Sequence, residues 1–287
     1  MRAARASFAA VAAAVLLAGC SSVRLAYDHA QAFLRWRANA YLDLHGPEAK
    51  ELDERIALFL DWHRAKALPR YARLSEEAAQ RLGDGLSRED LNWGYDALML
   101  HAREGLRAAA TQIAPLLDQL DAGQVAYLER RLAEDNRKFA RENLQGSEAD
   151  RRQLRARRMQ DRLEEWVGKL TREQVERVKL YAERAPLTDA QRDRDRERLQ
   201  KELVAMVRKH EARKRLPDLA AQWQQGRDPA YVAANEAWRQ EFYALLLDID
   251  RTLTSAQRER AMANFRRYAQ DFTVLASRGG AMSSRTQ

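Results

Sequence analysis

The chain has 287 residues, a formal charge of +8 at neutral pH, 46% hydrophobic residues and a single cysteine. That apolar fraction is enough for a substantial core and excludes disorder over the bulk of the chain. One cysteine excludes an intramolecular disulfide, and the dominance of Ala, Leu, Arg, Glu and Gln over β-branched residues argues for helix nearly everywhere.

The chain opens with Arg2 and Arg5, an apolar run from Phe8 to Ala18, and small residues leading to Cys20. Positive charge, apolar stretch and small residues in that order make a secretory signal. The run is shorter than the ~20 residues that a membrane-spanning helix needs. Leu17-Ala18-Gly19-Cys20 resembles the lipobox of bacterial lipoproteins. In that class the cysteine sulfur takes a diacylglyceryl group, and cleavage leaves the cysteine as the acylated first residue. The resemblance implies that residues 1–19 are removed as a signal peptide, leaving 268 residues with a charge of +6. It also implies lipidation at Cys20, and Ser21, where an aspartate would retain the protein, implies the periplasmic face of the outer membrane.

Val23, Tyr27, Ala30, Leu34 and Tyr41 recur at helical spacing, so a helix is expected almost immediately after Cys20, with no flexible tether. Arg24, Arg35 and Arg37 on it are available to anionic head groups. The segments Cys20 to Tyr27, Leu34-Arg35-Trp36, Leu42-Asp43-Leu44, Leu52 to Arg55, Trp62-His63-Arg64 and Leu68-Pro69-Arg70-Tyr71 resemble an uncharacterised lipoprotein family of proteobacteria, domain of unknown function 6279. That resemblance implies an outer-membrane lipoprotein with a helical body and supplies no activity.

Gly46-Pro47 ends the first helix, and Leu52, Ile56, Phe59, Leu60 and His63 mark the second, which Pro69 is expected to kink or interrupt. After a turn at Gly83 to Gly85, a stripe from Tyr95 through Leu98, Ala102, Leu106 and Ile113 to Leu116 predicts the longest amphipathic helix, ended or bent by Pro115 near Ala114. Further apolar faces follow around Val125 and Leu128, Leu163 and Val167, Val175 and Val178, and Leu203 and Met206. The last two carry Trp238, Leu245 and Ile249, then Ala261, Phe265 and Phe272. The expectation is an all-α bundle of about nine or ten amphipathic helices without a sheet. It forms a single domain over residues 20–276, followed by a disordered tail over 277–287.

A phrase recurs in Leu170-Thr171-Arg172-Glu173-Gln174, Leu187-Thr188-Asp189-Ala190-Gln191 and Leu253-Thr254-Ser255-Ala256-Gln257, with a looser copy in Leu120-Asp121-Ala122-Gly123-Gln124. Thr or Asp at an N-cap with Gln three residues on makes a capping box, so each copy is expected to start a helix. The phrase also resembles the signature of small periplasmic helical-hairpin proteins that include stress-induced chaperones, which implies client binding as an alternative. Irregular spacing between the copies argues against a strict tandem repeat.

The chain contains no zinc-protease, di-iron, phosphate-loop or serine-hydrolase motif. No catalytic residue, cofactor or metal site is therefore nominated. His63 and His210 lie beside apolar stripes and read as core or boundary histidines, and no two of the five histidines have ligand spacing. An envelope hydrolase built on an unrecognised carboxylate pair remains the enzymatic alternative. The strongest interaction candidate is an arginine cluster, Arg151, Arg152, Arg155, Arg158 and Arg162, accompanied by Arg157. Arg151, Arg155, Arg158 and Arg162 follow one another at steps of four, three and four and so share a helix face. Such a face suits phosphates or carboxylates of the envelope, or an acidic envelope protein. Nucleic acid is not an expected partner. The sequence thus points to a non-enzymatic binding protein, a scaffold or envelope-maintenance factor, whose membrane partner is reached through lipid at Cys20.

Overall fold

A computed structural model describes residues 22–283, with side chains over 23–278. The expected signal segment over residues 1–19, Cys20 and Ser21 lie outside the described residues. The helices are α1 (Ser22–Asp28), α2 (Ala30–Leu42), α3 (Pro47–Trp62), α4 (Leu68–Asp84), α5 (Arg88–Leu117) and α6 (Ala122–Asn143). They continue with α7 (Glu148–Val167), α8 (Arg172–Arg184), α9 (Asp189–Arg208), α10 (Ala212–Ala221), α11 (Pro229–Thr252) and α12 (Ser255–Ser283). No strand occurs among the described residues, so the protein is an all-α bundle. Helix α12 extends through Ser283, past Ser277 where a tail was expected to begin.

Capping sets most of these starts. Ser87 with Asp90, Asp121 with Gln124, Ser147 with Asp150, and Thr171 with Gln174 form reciprocal capping boxes at α5, α6, α7 and α8. At α12, Thr254 N–H donates to Gln257 Oε1 at 3.0 Å and Gln257 N–H donates to Thr254 Oγ1 at 3.2 Å. Thr188 departs from the expectation. Its ψ is 3°, against 164° at Thr171, so its hydroxyl makes no cap bond although α9 starts after it.

Prolines are accommodated in two ways. The second helix runs unbroken from α3 into α4 through a π-turn over His63–Ala67, in which Leu68 N–H reaches His63 O. Pro69 falls in the first turn after it, so the widened turn absorbs the donor that proline lacks. Pro115 does not stop α5, which closes two residues later at Leu117 with Asp118 N–H bonded to Ala114 O.

Buried apolar side chains gather in two clusters. Leu42, Leu52, Ile56, Leu60, Leu116, Leu128 and Val207 belong to the first, built by α2, α3, the end of α5, α6, α9 and α10. Leu82, Leu163, Val167, Val178, Leu245, Ile249 and Ala261 belong to the second, built by the end of α4 with α7, α8, α11 and α12. The chain crosses between them several times, so neither is a contiguous piece of sequence. Helix α5, about 45 Å long, runs from one to the other. Its middle meets α4 through Tyr71–His101 and Arg70–Glu104 and α10 through Arg107–Asp218, while Leu98 and Leu106 stay exposed where the sequence stripe placed them toward a core.

The two best copies of the repeated phrase meet in the second cluster. Gln174 and Gln257 are buried and exchange amide hydrogen bonds of 2.9 and 3.0 Å. Each Nε2 also donates to the carbonyl just before the other motif, Gln174 to Thr252 O at 2.9 Å and Gln257 to Lys169 O at 3.0 Å. The result relates the α7–α8 hairpin to the α11–α12 hairpin by a local two-fold. Gln124, in the looser copy, likewise donates out of its own box to Glu48 Oε2 at 2.8 Å.

Candidate functional site

Helix α7 carries the arginines nominated from sequence, and one of its faces looks into an open cleft of about 440 Å³. The end of α6, the junction of α8 with α9, and the first turns of α11 form the other walls. Arg151, Arg155, Arg158 and Arg162 all line it, as their four-three-four spacing requires. Arg192 joins them from α9, while Tyr181, Tyr231 and Trp238 supply aromatic surface from α8 and α11.

The arginines divide by what they touch. Arg152 turns away from the cleft to the carboxyl end of α8, donating to Ala182 O at 3.2 Å and to Glu183 O. Arg155 also reaches that end, through Nη1 to Ala185 O at 2.6 Å and Nη2 to Pro186 O at 3.0 Å. These bonds satisfy carbonyls that the end of a helix leaves open and place positive charge at the negative end of its dipole. Burial pushes the Arg155 pKa below its ordinary value, because desolvation opposes the charged form.

Arg151, Arg158 and Arg162 have no carboxylate or carbonyl partner among the described residues, and Arg151 Nε is buried without a hydrogen bond. Arg157, off this face, is exposed. Three carboxylates line the same cleft, Glu142, Asp150 and Asp189, against five guanidinium groups. Asp150 is held below the usual carboxylate range by its hydrogen bonds from Ser147 and is committed to the cap of α7. The cleft therefore has donors to spare, in an arrangement suited to phosphate or carboxylate oxygens. Trp238 stacks on Phe242 with ring centroids 5.3 Å apart and an interplanar angle of 8°, which holds its indole as a rigid wall. Burial raises the pKa of Tyr181 and of Tyr231, so both enter the cleft as neutral phenols.

Sequence spacing identified the arginine face but not its opposite wall. Trp238 reads as a core position in its own helix, and Arg192 lies in a charge-rich stretch with nothing to distinguish it. Their assembly depends on contacts across α7, α9 and α11.

The histidines take a different course. Tyr27 Oη and His63 Nδ1 are 3.0 Å apart, and Tyr71 packs edge-on to both His63 and His101, at centroid distances of 5.6 and 5.4 Å. Burial lowers the His63 pKa, with Arg64 acting in the same direction, and burial raises that of Tyr27 to about 12. His63 is thus a boundary histidine in an aromatic cluster. His210 sits beyond the end of α9 at a φ of 54°, exposed, with Nδ1 2.7 Å from Asp118 O. No cluster of ligating side chains suited to a metal ion occurs among the described residues.

A family model described as a family of unknown function (DUF6279) matches residues 40–232. The matched span includes every arginine of the cleft and stops short of Trp238. No curated protein and no solved structure matches the chain. These comparisons lend no support to the resemblance to periplasmic chaperones.

Proposed function

The chain belongs to this family of unknown function, and we propose that it is a lipoprotein of the outer membrane's periplasmic face that acts by binding an anionic envelope component. The anchor reading rests on Leu17-Ala18-Gly19-Cys20 behind Arg2, Arg5 and an apolar run, with Ser21 following. Acylation at Cys20 by two or more chains would give stable attachment, since each buried CH₂ contributes roughly 0.8 kcal/mol. Helix α1 begins at Ser22, so the body follows Cys20 without a spacer.

The observation that carries the binding role is the set Arg151, Arg158 and Arg162, which line one cleft and lack acidic partners among the described residues. Unpaired guanidinium groups beside aromatic walls favour a ligand with phosphate or carboxylate oxygens and an apolar or planar portion. A scaffold or envelope-maintenance role follows from holding such a ligand at the membrane.

The test is attachment of the detergent-purified acylated protein to immobilised lipopolysaccharide and to isolated cell wall at increasing salt. Attachment to one of these is expected, weakening with salt, and Arg151→Gln/Arg158→Gln/Arg162→Gln together should reduce it by about tenfold or more. Equal attachment by the wild type and the triple variant would remove the cleft from the function.

A further inference from the structure

Helices α1 and α2 form nearly one rod, since His29 N–H bonds to Leu25 O and Phe33 N–H bonds to His29 O across the turn between them. One side of that rod is accounted for: Tyr27, Ala30, Leu34, Ala38 and Tyr41 pack on the first core cluster. The opposite side carries large apolar side chains too, with exposed His29 among them. Leu25, Phe33 and Trp36 project from it at steps of eight and three, and they are 58%, 57% and 62% exposed. Phe33 and Trp36 lie together, their ring centroids 5.9 Å apart, and the Arg37 guanidinium is 5.9 Å from the Trp36 ring. A solvated helix would carry polar residues on its outer side.

The rod is held firmly. Arg24 points inward to Asp271, which is 1% exposed, at 2.6 Å, and Asp28 pairs with Arg278 at 3.0 Å, so α1 is clamped to α12 at two places. Arg24 is therefore unavailable to head groups. The carboxylates along the flank have cationic or ionisable neighbours: Asp53 is 3.2 Å from Arg35, and Asp43 is 3.4 Å from His45. Arg35 and Arg278 thus offset Asp53 and Asp28, and Arg37 adds a cation beside Trp36. No described helix is long and apolar enough to cross a membrane, which leaves contact in the plane of the interface.

We infer that the outer face of α1 and α2, built by Leu25, Phe33 and Trp36, lies in the interfacial layer of the bilayer and fixes the orientation of the body on it. The inference rests on the lipid anchor proposed above. Only Ser21 separates Cys20 from α1, so an acylated Cys20 delivers this face to the bilayer ahead of every other surface. Leu, Phe and Trp beside arginine match the interface chemically, with apolar bodies entering the acyl boundary and indole N–H and guanidinium groups at head-group level. The clamp to α12 carries that orientation into the bundle.

The experiment uses the acylated full protein reconstituted into vesicles of phosphatidylethanolamine and phosphatidylglycerol containing chain-brominated lipid. Flotation reports the anchor, and quenching of tryptophan fluorescence reports the face. The wild type should float and be quenched, and Trp36→Tyr should float equally while losing most of the quenching. As a second measurement, Leu25→Ser/Phe33→Ser/Trp36→Ser in a chain without residues 1–19 that also carries Cys20→Ser should bind the same vesicles about tenfold or more weakly than that chain with Cys20→Ser alone, with unchanged helicity by circular dichroism. Flotation with quenching indifferent to Trp36→Tyr would overturn the inference and leave the anchor standing. Failure of the wild type to float would overturn both. A dimer in solution that the triple serine variant dissolves, with no quenching, would assign the face to a second copy of the chain instead.

Discussion

Gln174 and Gln257 are 83 positions apart in the chain, yet their side-chain amides bond to each other in both directions at 2.9 and 3.0 Å. Each Oε1 also accepts from the N–H of its own N-cap threonine, and each Nε2 also donates to a carbonyl at the end of the opposing hairpin. Every donor and acceptor of both amides is therefore used. Such a network stabilises only while complete, because a buried polar group left alone costs its full desolvation.

Gln174→Leu and Gln257→Leu should each destabilise the protein by about 1–3 kcal/mol in urea unfolding, since each leaves the other amide and a backbone carbonyl unpaired. The double variant should cost clearly less than the sum of the two. Strict additivity would mean that the amides do not act as a unit.

Arg24 and Asp271 supply a second test. Asp271 is 1% exposed and its Oδ2 is already without a hydrogen bond among the described residues, so Arg24→Met strands a buried carboxylate. A loss of about 3 kcal/mol is expected, together with faster hydrogen exchange in α1. Adding Asp271→Leu should restore most of the stability. No recovery would place the effect elsewhere than in the pair.

His63 makes stability depend on pH. Its pKa in the folded chain lies below the ordinary 6.5, so the unfolded chain binds the proton more readily. Stability from this group is fully present above 6.5 and falls as pH drops through 6.5 toward the folded value. His63→Asn should flatten that part of the profile of Tm against pH, relative to wild type. Identical slopes between pH 7 and 5 would remove His63 as a source.

The arginines of α7 should separate by phenotype. Arg152→Ala and Arg155→Ala remove donors from the carboxyl end of α8 and should lower stability by about 1–2 kcal/mol. Arg158→Ala and Arg162→Ala should stay within about 0.5 kcal/mol of wild type and weaken anion binding. Thermal unfolding combined with a salt-dependent binding assay distinguishes the two pairs.

Much of this architecture was legible in the sequence because it is local. Ser, Thr and Asp before a Gln or Asp three residues on start five helices through capping boxes, and the spacing of Arg151, Arg155, Arg158 and Arg162 puts them on one face before any fold is known. What could not be read is set by contacts between distant segments. Thr188 repeats the sequence of Thr171 but takes another backbone geometry, Pro69 is absorbed by a π-turn, and Leu98 stays exposed because α4 and α10 pack on other sides of α5. Arg152 looked equivalent to its neighbours and is instead directed to the end of α8. The outer stripe of Leu25, Phe33 and Trp36 was masked because the opposite face of the same rod is apolar too.

The most direct test of the account is the mass of the N-terminal proteolytic fragment of the protein purified from its own cells. The expected result is a fragment that begins at Cys20 and carries a diacylglyceryl group and an N-linked acyl chain. A fragment that retains residues 1–19, or one that begins at an unmodified Cys20, would contradict the lipid anchor and with it the placement of the arginine cleft at the membrane.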